Sequence, residues 1–263
     1  MKHLFVTATV LLLCAPGAAF AWGGAGHSSV AAIAEAYLAP KARATIEKYL
    51  GGRSIVEFAS WMDEVRDTPK YKYTSRWHAA PVDAEFKHTP AVARKGGDAI
   101  TATEESFAAL RNYKSLPKET VAFHLKILVH AIGDWHCPVH VKYTTIETNF
   151  QVFLNGEKVS YHSVWDGAVV DPHKRGYLEW LRSRRLDRLP AEKIREITAG
   201  TPRDWFHQTA LDCRVIYDWV KPNAKLTGKA WREFLAKATP LAESQIQKAA
   251  FRLAVVLNEC FNQ

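Results

Sequence analysis

The chain has 263 residues, of which 35 are Lys or Arg and 27 are Asp or Glu, which gives a formal net charge of +8 at pH 7. This length suffices for one large hydrophobic core, and the sequence shows no composition shift, low-complexity tract or internal repeat, which excludes disordered and repeat proteins. The positive charge favours an acidic partner, such as nucleic acid, a phosphorylated metabolite or an anionic surface, although it can also serve solubility alone.

The first 21 residues are typical of a secretory signal peptide. A basic start precedes an apolar run over residues 4–13 and a small-residue cleavage pattern at 19–21. The alternative, an anchored helix, needs about 20 apolar residues, and this run is too short. Cleavage would leave residues 22–263 as one domain without a membrane anchor, secreted or periplasmic, with Trp22 as its N-terminus.

Helical periodicity dominates the remaining sequence. A long apolar segment between Pro117 and Pro138 predicts a buried helix. The clear strand signal is at 151–160, where Asn155-Gly156 suits a type I′ hairpin turn. The sequence therefore predicts an all-α fold with one small β-hairpin. The other predicted helices span residues 28–38, 40–50, 55–66, 162–171, 174–185, 203–220, 228–238 and 241–260.

Three cysteines lie beyond the predicted leader: Cys137, Cys213 and Cys260. An odd number in an oxidising compartment indicates one disulfide and one thiol. Because Cys213 and Cys260 both fall on late predicted helices, a disulfide between them is the expected pairing.

Two pairs of histidine and aspartate stand four residues apart, His130 with Asp134 and His162 with Asp166. This spacing makes about one helical turn, so each imidazole would lie beside its carboxylate on one helix face. Taken alone, such a pair can be a hydrogen-bonded core residue or a surface ion pair. Asp134, however, lies in an otherwise apolar helix, where an unpaired charge is costly, and this favours a nearby cation.

Four further residues join these pairs as candidate metal ligands: His27, Asp63, His78 and His140. Imidazole and carboxylate without thiolate are typical of catalytic zinc, and eight such side chains exceed the needs of one or two sites. The remaining histidines lie on other helix faces or lack a carboxylate at ligand spacing. We interpret them as structural or solvent-facing: His88, His124, His136, His173 and His207.

Five spaced elements together resemble the secreted, zinc-dependent, single-strand-specific nucleases and 3′-nucleotidases of fungi, plants and bacteria. The fold of that family is shared with zinc-dependent phospholipase C. The matching elements are Trp22 with His27, WMDEVR at 61–66, WH at 77–78, the spaced His130 and Asp134 leading to PVH at 138–140, and HSVWD at 162–166.

The resemblance implies a monomeric enzyme with three zinc ions. It would cleave RNA and single-stranded DNA to 5′-phosphorylated products and remove 3′-phosphates from nucleotides. One zinc would be held by Asp63, His78, His130 and Asp134, a second by His140, His162 and Asp166, and a third by the Trp22 amine and carbonyl, His27 and the bridging Asp134.

The resemblance also implies roles for residues around the metals. Asp63 would orient the attacking water, while Arg66 and Asn149 would contact the scissile phosphate. A guanidinium is suited to this because its planar fork pairs with two phosphate oxygens at once.

The chain departs from the family at positions that are not metal ligands. Ala79 and Ala80 follow the WH histidine, where an aromatic residue usually stacks on a base, so base recognition by that route is in doubt. Glu147-Thr148 replaces a glycine pair, and Cys137 replaces a glutamine. Two alternatives stay open: a zinc-dependent phospholipase C, against which Asp166 argues because such lipases carry Glu there, and a secreted zinc-binding or nucleic-acid-binding protein without turnover.

Overall fold

The computed structural model describes residues 22–170 and 176–263, so the predicted signal peptide and His173 lie outside the described residues. The all-α prediction is confirmed, because helices dominate both segments. The α-helices are α1 (Gly23–Ala36), α2 (Pro40–Tyr49), α3 (Trp61–Val65), α4 (Ala99–Arg111), α5 (Lys118–Asp134), α6 (Tyr161–Ser163), α7 (Gly176–Arg184), α8 (Ala191–Thr198), α9 (Pro202–Cys213), α10 (Ile216–Trp219) and α11 (Gly228–Phe261). No helix in these two segments is both long and apolar enough to cross a membrane.

Short 3₁₀ turns and a π-helix accompany the α-helices. The 3₁₀ turns are Ile55–Phe58, Lys72–His78, Tyr113–Ser115 and Pro138–His140, and a π-helix spans Val164–Ala168. The helix predicted at 55–66 is therefore two pieces, a 3₁₀ turn followed by α3. The helix predicted at 162–171 begins as α6 and continues as the π-helix.

Within residues 22–170 and 176–263, five short strands form two small sheets: β1 (Ala80–Val82), β2 (Val141–Tyr143), β3 (Gln151–Leu154), β4 (Glu157–Ser160) and β5 (Lys225–Leu226). The predicted hairpin is confirmed as β3 and β4, which are joined by Asn155 and Gly156 with φ angles of 50° and 94°. Strand β5 was not expected and extends this sheet by pairing parallel to β3. The other sheet pairs β1 with β2 in parallel, with Ala80 opposite Val141.

Helix α5 lies inside the molecule, packed against α4, and α1 packs along α11. Ten residues of α5, including His130 and Asp134, are buried. Helix α4 was not predicted from the sequence, although Asp98 caps it by accepting hydrogen bonds from two backbone N–H groups of its first turn. Helix α8 was also missed.

Two helix boundaries in the second half were predicted wrongly. The sequence predicts a break between 238 and 241, but α11 continues through Pro240. A proline removes one backbone donor, which leaves the carbonyl four residues earlier without its helical partner. Both Pro240 and Ala236 are exposed, so water satisfies that carbonyl and the helix is not forced to end. Conversely, the helix predicted at 203–220 is interrupted and forms α9 and α10.

The predicted disulfide between Cys213 and Cys260 is wrong, since both residues, like Cys137, are buried free thiols. Asp212, the neighbour of Cys213, bonds to Lys248 of α11 at 2.5 Å. Cys260 lies on the same helix twelve residues after Lys248, which corresponds to about 18 Å along the helix axis. Cysteines at such different levels of α11 cannot reach the Cα separation of about 4.4–6.8 Å that a disulfide needs.

Candidate metal centre

Four of the predicted ligands converge at the C-terminal end of α5. Asp134 Oδ2 lies 2.9 Å from His78 Nδ1 and 3.1 Å from His130 Nε2, and those two nitrogens are 3.2 Å apart. The Asp63 carboxylate of α3 completes the group, at 3.6 Å from His78 and 3.8 Å from His130. Around one zinc ion with bonds of about 2.0 Å, tetrahedral ligand atoms stand about 3.3 Å apart, so these spacings fit a metal ion.

A backbone hydrogen bond fixes the orientation of the His130 ring. Its Nδ1–H donates to the Ala59 carbonyl at 2.7 Å, which directs Nε2 toward His78 and Asp134. A metal-binding histidine usually donates such a hydrogen bond from the ring nitrogen that does not bind the metal.

A second group forms where the 3₁₀ turn after α5 meets α6 and the π-helix. His162 Nε2 lies 3.1 Å from both His140 Nε2 and Asp166 Oδ2, and His140 Nε2 lies 3.9 Å from Asp166 Oδ1. The Nδ1–H of His140 donates to the carbonyl of His78, which ties this group to the first one. The π-helix places Asp166 at the site, and such wide turns are frequent at functional sites.

The Asp134 carboxylate joins a third group on its other side. Its Oδ1 lies 3.3 Å from His27 Nε2, whereas its Oδ2 contacts the first group. The His27 ring stacks on the His130 ring with centroids 4.0 Å apart. Asp134 thus occupies a bridging position between two groups of imidazoles.

Trp22 is fixed beside this third group. Its indole N–H donates to the Gly133 carbonyl at 2.8 Å, and its backbone adopts a left-handed conformation with φ 40°. A Cβ atom on Gly26 would lie 2.7 Å from the Trp22 Cβ, and one on Gly23 would lie 2.7 Å from the Asp166 carbonyl oxygen. The glycines therefore let the chain bring Trp22 close to Asp166. That the Trp22 amine and carbonyl bind metal stays a prediction, because it depends on cleavage before this residue.

Many buried polar atoms at these groups approach one another closely but form no aligned hydrogen bond among the described residues. They are His27 Nδ1 and Nε2, Asp63 Oδ2, His78 Nε2, both Asp134 carboxylate oxygens and Asp166 Oδ2. Unpaired buried polar and charged atoms are costly unless a ligand or metal satisfies them. The donor set contains imidazole nitrogens and carboxylate oxygens, which suit zinc.

The charge state of the groups also suits cations. Burial opposes ionisation of Asp134, but the imidazoles of His130, His140 and His78 hold its pKa well below its usual value. Burial and the neighbouring His130 lower the pKa of His27, and burial lowers that of His140 well below the ordinary value. Burial opposes protonation of His130, but the Asp134 carboxylate raises its pKa to about 9, so a metal ion that binds there must displace a proton.

A profile of the S1/P1 Nuclease family matches residues 22–262. The chain belongs to the S1/P1 nuclease family. Endonuclease 5 of Arabidopsis thaliana is 23% identical, over 99% of this chain and 97% of its own length. Nuclease P1 of Penicillium citrinum is 27% identical over 90% of this chain and 97% of its own length, and Nuclease S1 of Aspergillus oryzae is 25% identical over 91% of both. The chain is therefore a nuclease, a hydrolase whose substrates are nucleic acids.

The two residues predicted to contact phosphate occupy different surroundings in this nuclease. Arg66 follows α3 directly, and its Nη1 donates to Asp63 Oδ1 at 3.1 Å, so its guanidinium lies at the first group of ligands. Its side chain is 21% exposed, so it is accessible from the solvent side. Asn149 is exposed in the loop between β2 and β3, beside the buried Phe150.

Cys137 was not among the predicted ligands, but it contacts one of them. Its thiol donates to Asp166 Oδ1 at 3.9 Å, and ligand atoms of Cys137, His140 and Asp166 lie within 4.8 Å of one another. The signal was its place directly before the PVH turn, but it was interpreted only as a replaced glutamine. Burial raises the pKa of the Cys137 thiol well above its usual value, which keeps this thiol protonated.

Histidines outside the candidate set have other partners. His124 bonds to Ser106, His136 to the Ile132 carbonyl and to Arg252, and His207 to the Phe86 carbonyl. His88 does meet a carboxylate, Asp98 at 2.8 Å, which lies ten residues later and so was not at a helical ligand spacing.

Gly133 tests the geometry of the third group. A Cβ atom there would lie 3.0 Å from His27 Nδ1, so Gly133→Ala should displace the His27 ring. Alanine is favoured over glycine in a helix by about 1 kcal/mol, which offsets part of the cost of this close contact in the metal-free protein. We expect zinc titration of the metal-free variant to show about tenfold weaker binding at one site, the scale found for changes beside metal ligands.

The matched control is Gly167→Ala. Gly167 also stands beside a candidate ligand, Asp166, but a Cβ atom there would meet no other atom within 4 Å. Its zinc titration should match that of the unchanged protein, and equal weakening in both variants would contradict the account of the His27 position.

Proposed function

We propose that this nuclease is a secreted or periplasmic monomer that uses three zinc ions to hydrolyse phosphodiester bonds of RNA and single-stranded DNA. The products would carry 5′-phosphates, and the same site would remove 3′-phosphates from nucleotides. Residues 22–263 would act as one domain after removal of the signal peptide. The observation that supports this most strongly is the set of unpartnered imidazole and carboxylate atoms around Asp134.

The proposed ligand assignment follows the three groups. One zinc would be held by Asp63, His78, His130 and Asp134, one by His140, His162 and Asp166, and one by Trp22, His27 and Asp134. Bound zinc ions of this kind lower the pKa of a water molecule and neutralise charge on the attacking and leaving oxygens. The protein contributes rigid positions for these ligands, since nearly all of them are buried and anchored on helices.

Three side chains would act on the substrate itself. Asp63 would accept a hydrogen bond from the attacking water and turn its lone pair toward phosphorus. Arg66, already bonded to Asp63, would place its guanidinium fork on two oxygens of the phosphate. Asn149 would donate its amide hydrogen to the same phosphate, and donors of this type act most strongly on charge that develops in the transition state.

Metal removal and a ligand substitution test the function. Chelation should abolish hydrolysis of denatured DNA, and added zinc should restore it. His130→Ala should lower kcat/KM by more than about 100-fold. This exceeds the loss of activity that is usual when the substituted residue only contacts a metal ligand. The measurement is the initial rate on denatured DNA, with bound zinc determined in parallel.

His124→Ala is the control on the same helix. His124 is half-buried and bonds to Ser106, away from the ligands. Its activity and zinc content should equal those of the unchanged protein. Tight zinc binding without any cleavage would support the non-catalytic alternative, and faster hydrolysis of phosphatidylcholine than of RNA would support the lipase alternative.

Substitutions of Arg66 test the phosphate contact independently of metal binding. Arg66→Ala should keep the zinc content and lower kcat on denatured DNA by about 10²- to 10³-fold, the usual cost of losing one donor to developing charge. Arg66→Lys should recover only part of this, because an ammonium lacks the planar fork. Arg188→Ala, at an arginine whose side chain is 73% exposed, is the control. Unchanged kcat in Arg66→Ala would disprove the phosphate contact.

A further inference from the structure

The position where the family usually carries an aromatic residue that stacks on a base holds buried alanines in this chain. Ala79 and Ala80, which follow His78, are 8% and 0% exposed, and Ala80 pairs with Val141 in the β1–β2 sheet. Neither residue offers a ring to a base. If a base of the substrate is held by stacking, the ring must come from elsewhere on the surface.

Tyr73 is an exposed ring on the element that ends in the ligand His78. It lies in the 3₁₀ turn Lys72–His78 and is 54% exposed. The other strongly exposed aromatic of the described residues is Tyr37, whose hydroxyl donates to the Asp187 carbonyl and whose ring packs on Phe251. Tyr73 instead contacts Trp77 edge-on, with ring centroids 5.2 Å apart and planes at 81°.

The support under Tyr73 is fixed in place. The Trp77 indole N–H donates to the Gly96 carbonyl at 3.1 Å, and a Cβ atom on Gly97 would lie 2.7 Å from that indole nitrogen. Gly97 also has φ +89°, which favours glycine. The neighbouring Arg76 donates to the Lys95 carbonyl at 2.8 Å. The ring is therefore presented on a surface that needs little ordering on binding, which favours affinity.

Basic residues lie on the segment that carries the ring and on the loop that supports Trp77. Lys70, Lys72, Arg76 and Lys95 are all exposed, and we call these four residues together with Tyr73 the Tyr73 surface. Asp67 is an exposed acidic residue nearby in the chain. Aromatic rings interleaved with basic side chains are typical of surfaces that bind single strands, because bases stack on the rings while phosphates pair with the cations.

We propose that the Tyr73 surface binds a nucleotide that flanks the scissile phosphate, with the base stacked on Tyr73. The five residues from Tyr73 to His78 rise about 10 Å along a 3₁₀ turn, so the ring would contact a nucleotide next to the one being cleaved. The proposal rests on the proposed function, since it assigns a second contact of the same substrate. Duplex nucleic acid is excluded from this contact because its bases already stack on each other.

Binding to the metal-free protein tests the proposal apart from catalysis. The probe is a fluorescein-labelled dT12 strand, and the protein is the full mature chain after chelation. Tyr73→Ala should weaken binding about tenfold, within the range for one stacked base, whereas Tyr73→Phe should bind like the unchanged protein. Tyr37→Ala is the control and should have no effect. Lys72→Ala should reduce the slope of log Kd against log salt by about 0.7, as for one lost phosphate contact.

Activity of the zinc-loaded variants separates binding from a structural effect. Tyr73→Ala should raise KM for dT12 while leaving the hydrolysis of bis(p-nitrophenyl) phosphate unchanged, because that ester is too small to reach the ring. Unchanged dT12 binding in Tyr73→Ala, or an equal loss on the small ester, would overturn the proposal. Failure of the unchanged protein to cleave any of these esters would instead reject the proposed function, whatever the dT12 binding shows.

Discussion

The buried carboxylate of Asp134 is the constraint around which the rest of the site is arranged. It lies at the end of an apolar helix, and its two oxygens face different sets of imidazoles, His78 and His130 on one side and His27 on the other. Without a cation, this charge would depend on those imidazoles and on His140, whose Nδ1 lies 3.7 Å from Oδ1. The large core around α5 keeps these donors rigid and excludes water from most of them.

The small β1–β2 sheet does more for the site than its size suggests. Strand β2 begins directly after His140 and β1 begins two residues after His78, so the pairing of Ala80 with Val141 holds the two histidines near each other. The hydrogen bond from His140 to the His78 carbonyl strengthens the same link. Two groups of ligands from distant parts of the chain thereby keep a fixed spacing, which a clamp for attacking and leaving oxygens requires.

The sequence predicted the local part of this arrangement and missed the part that depends on tertiary contacts. The His130–Asp134 pair follows from helical periodicity alone, and the hairpin follows from Asn155-Gly156. The missed helix α4 has a local signal in its Asp98 cap, but its packing against α5 is a tertiary contact that no local pattern shows.

The errors in the second half of the chain have the same origin. Pro240 is tolerated because its side of α11 faces water, which composition does not reveal. The predicted disulfide between Cys213 and Cys260 took no account of how far apart the two residues lie along the axis of α11. A prediction of helices does not show which parts of two helices pack side by side. The residues predicted as one spaced set of ligands lie close together in the structure. Cys137 was not part of that set and was overlooked, although its thiol contacts Asp166.

The N-terminus offers the most direct test of the central claim, that the residues around Asp134 form a metal centre completed by processing. Zinc should be counted by native mass spectrometry in the chain that begins at Trp22 and in one that retains a single residue before it. The account predicts three zinc ions in the first protein and two in the second, because only a free α-amine can bind beside the Trp22 carbonyl. Three zinc ions in both proteins, or no zinc in the mature protein, would contradict the account.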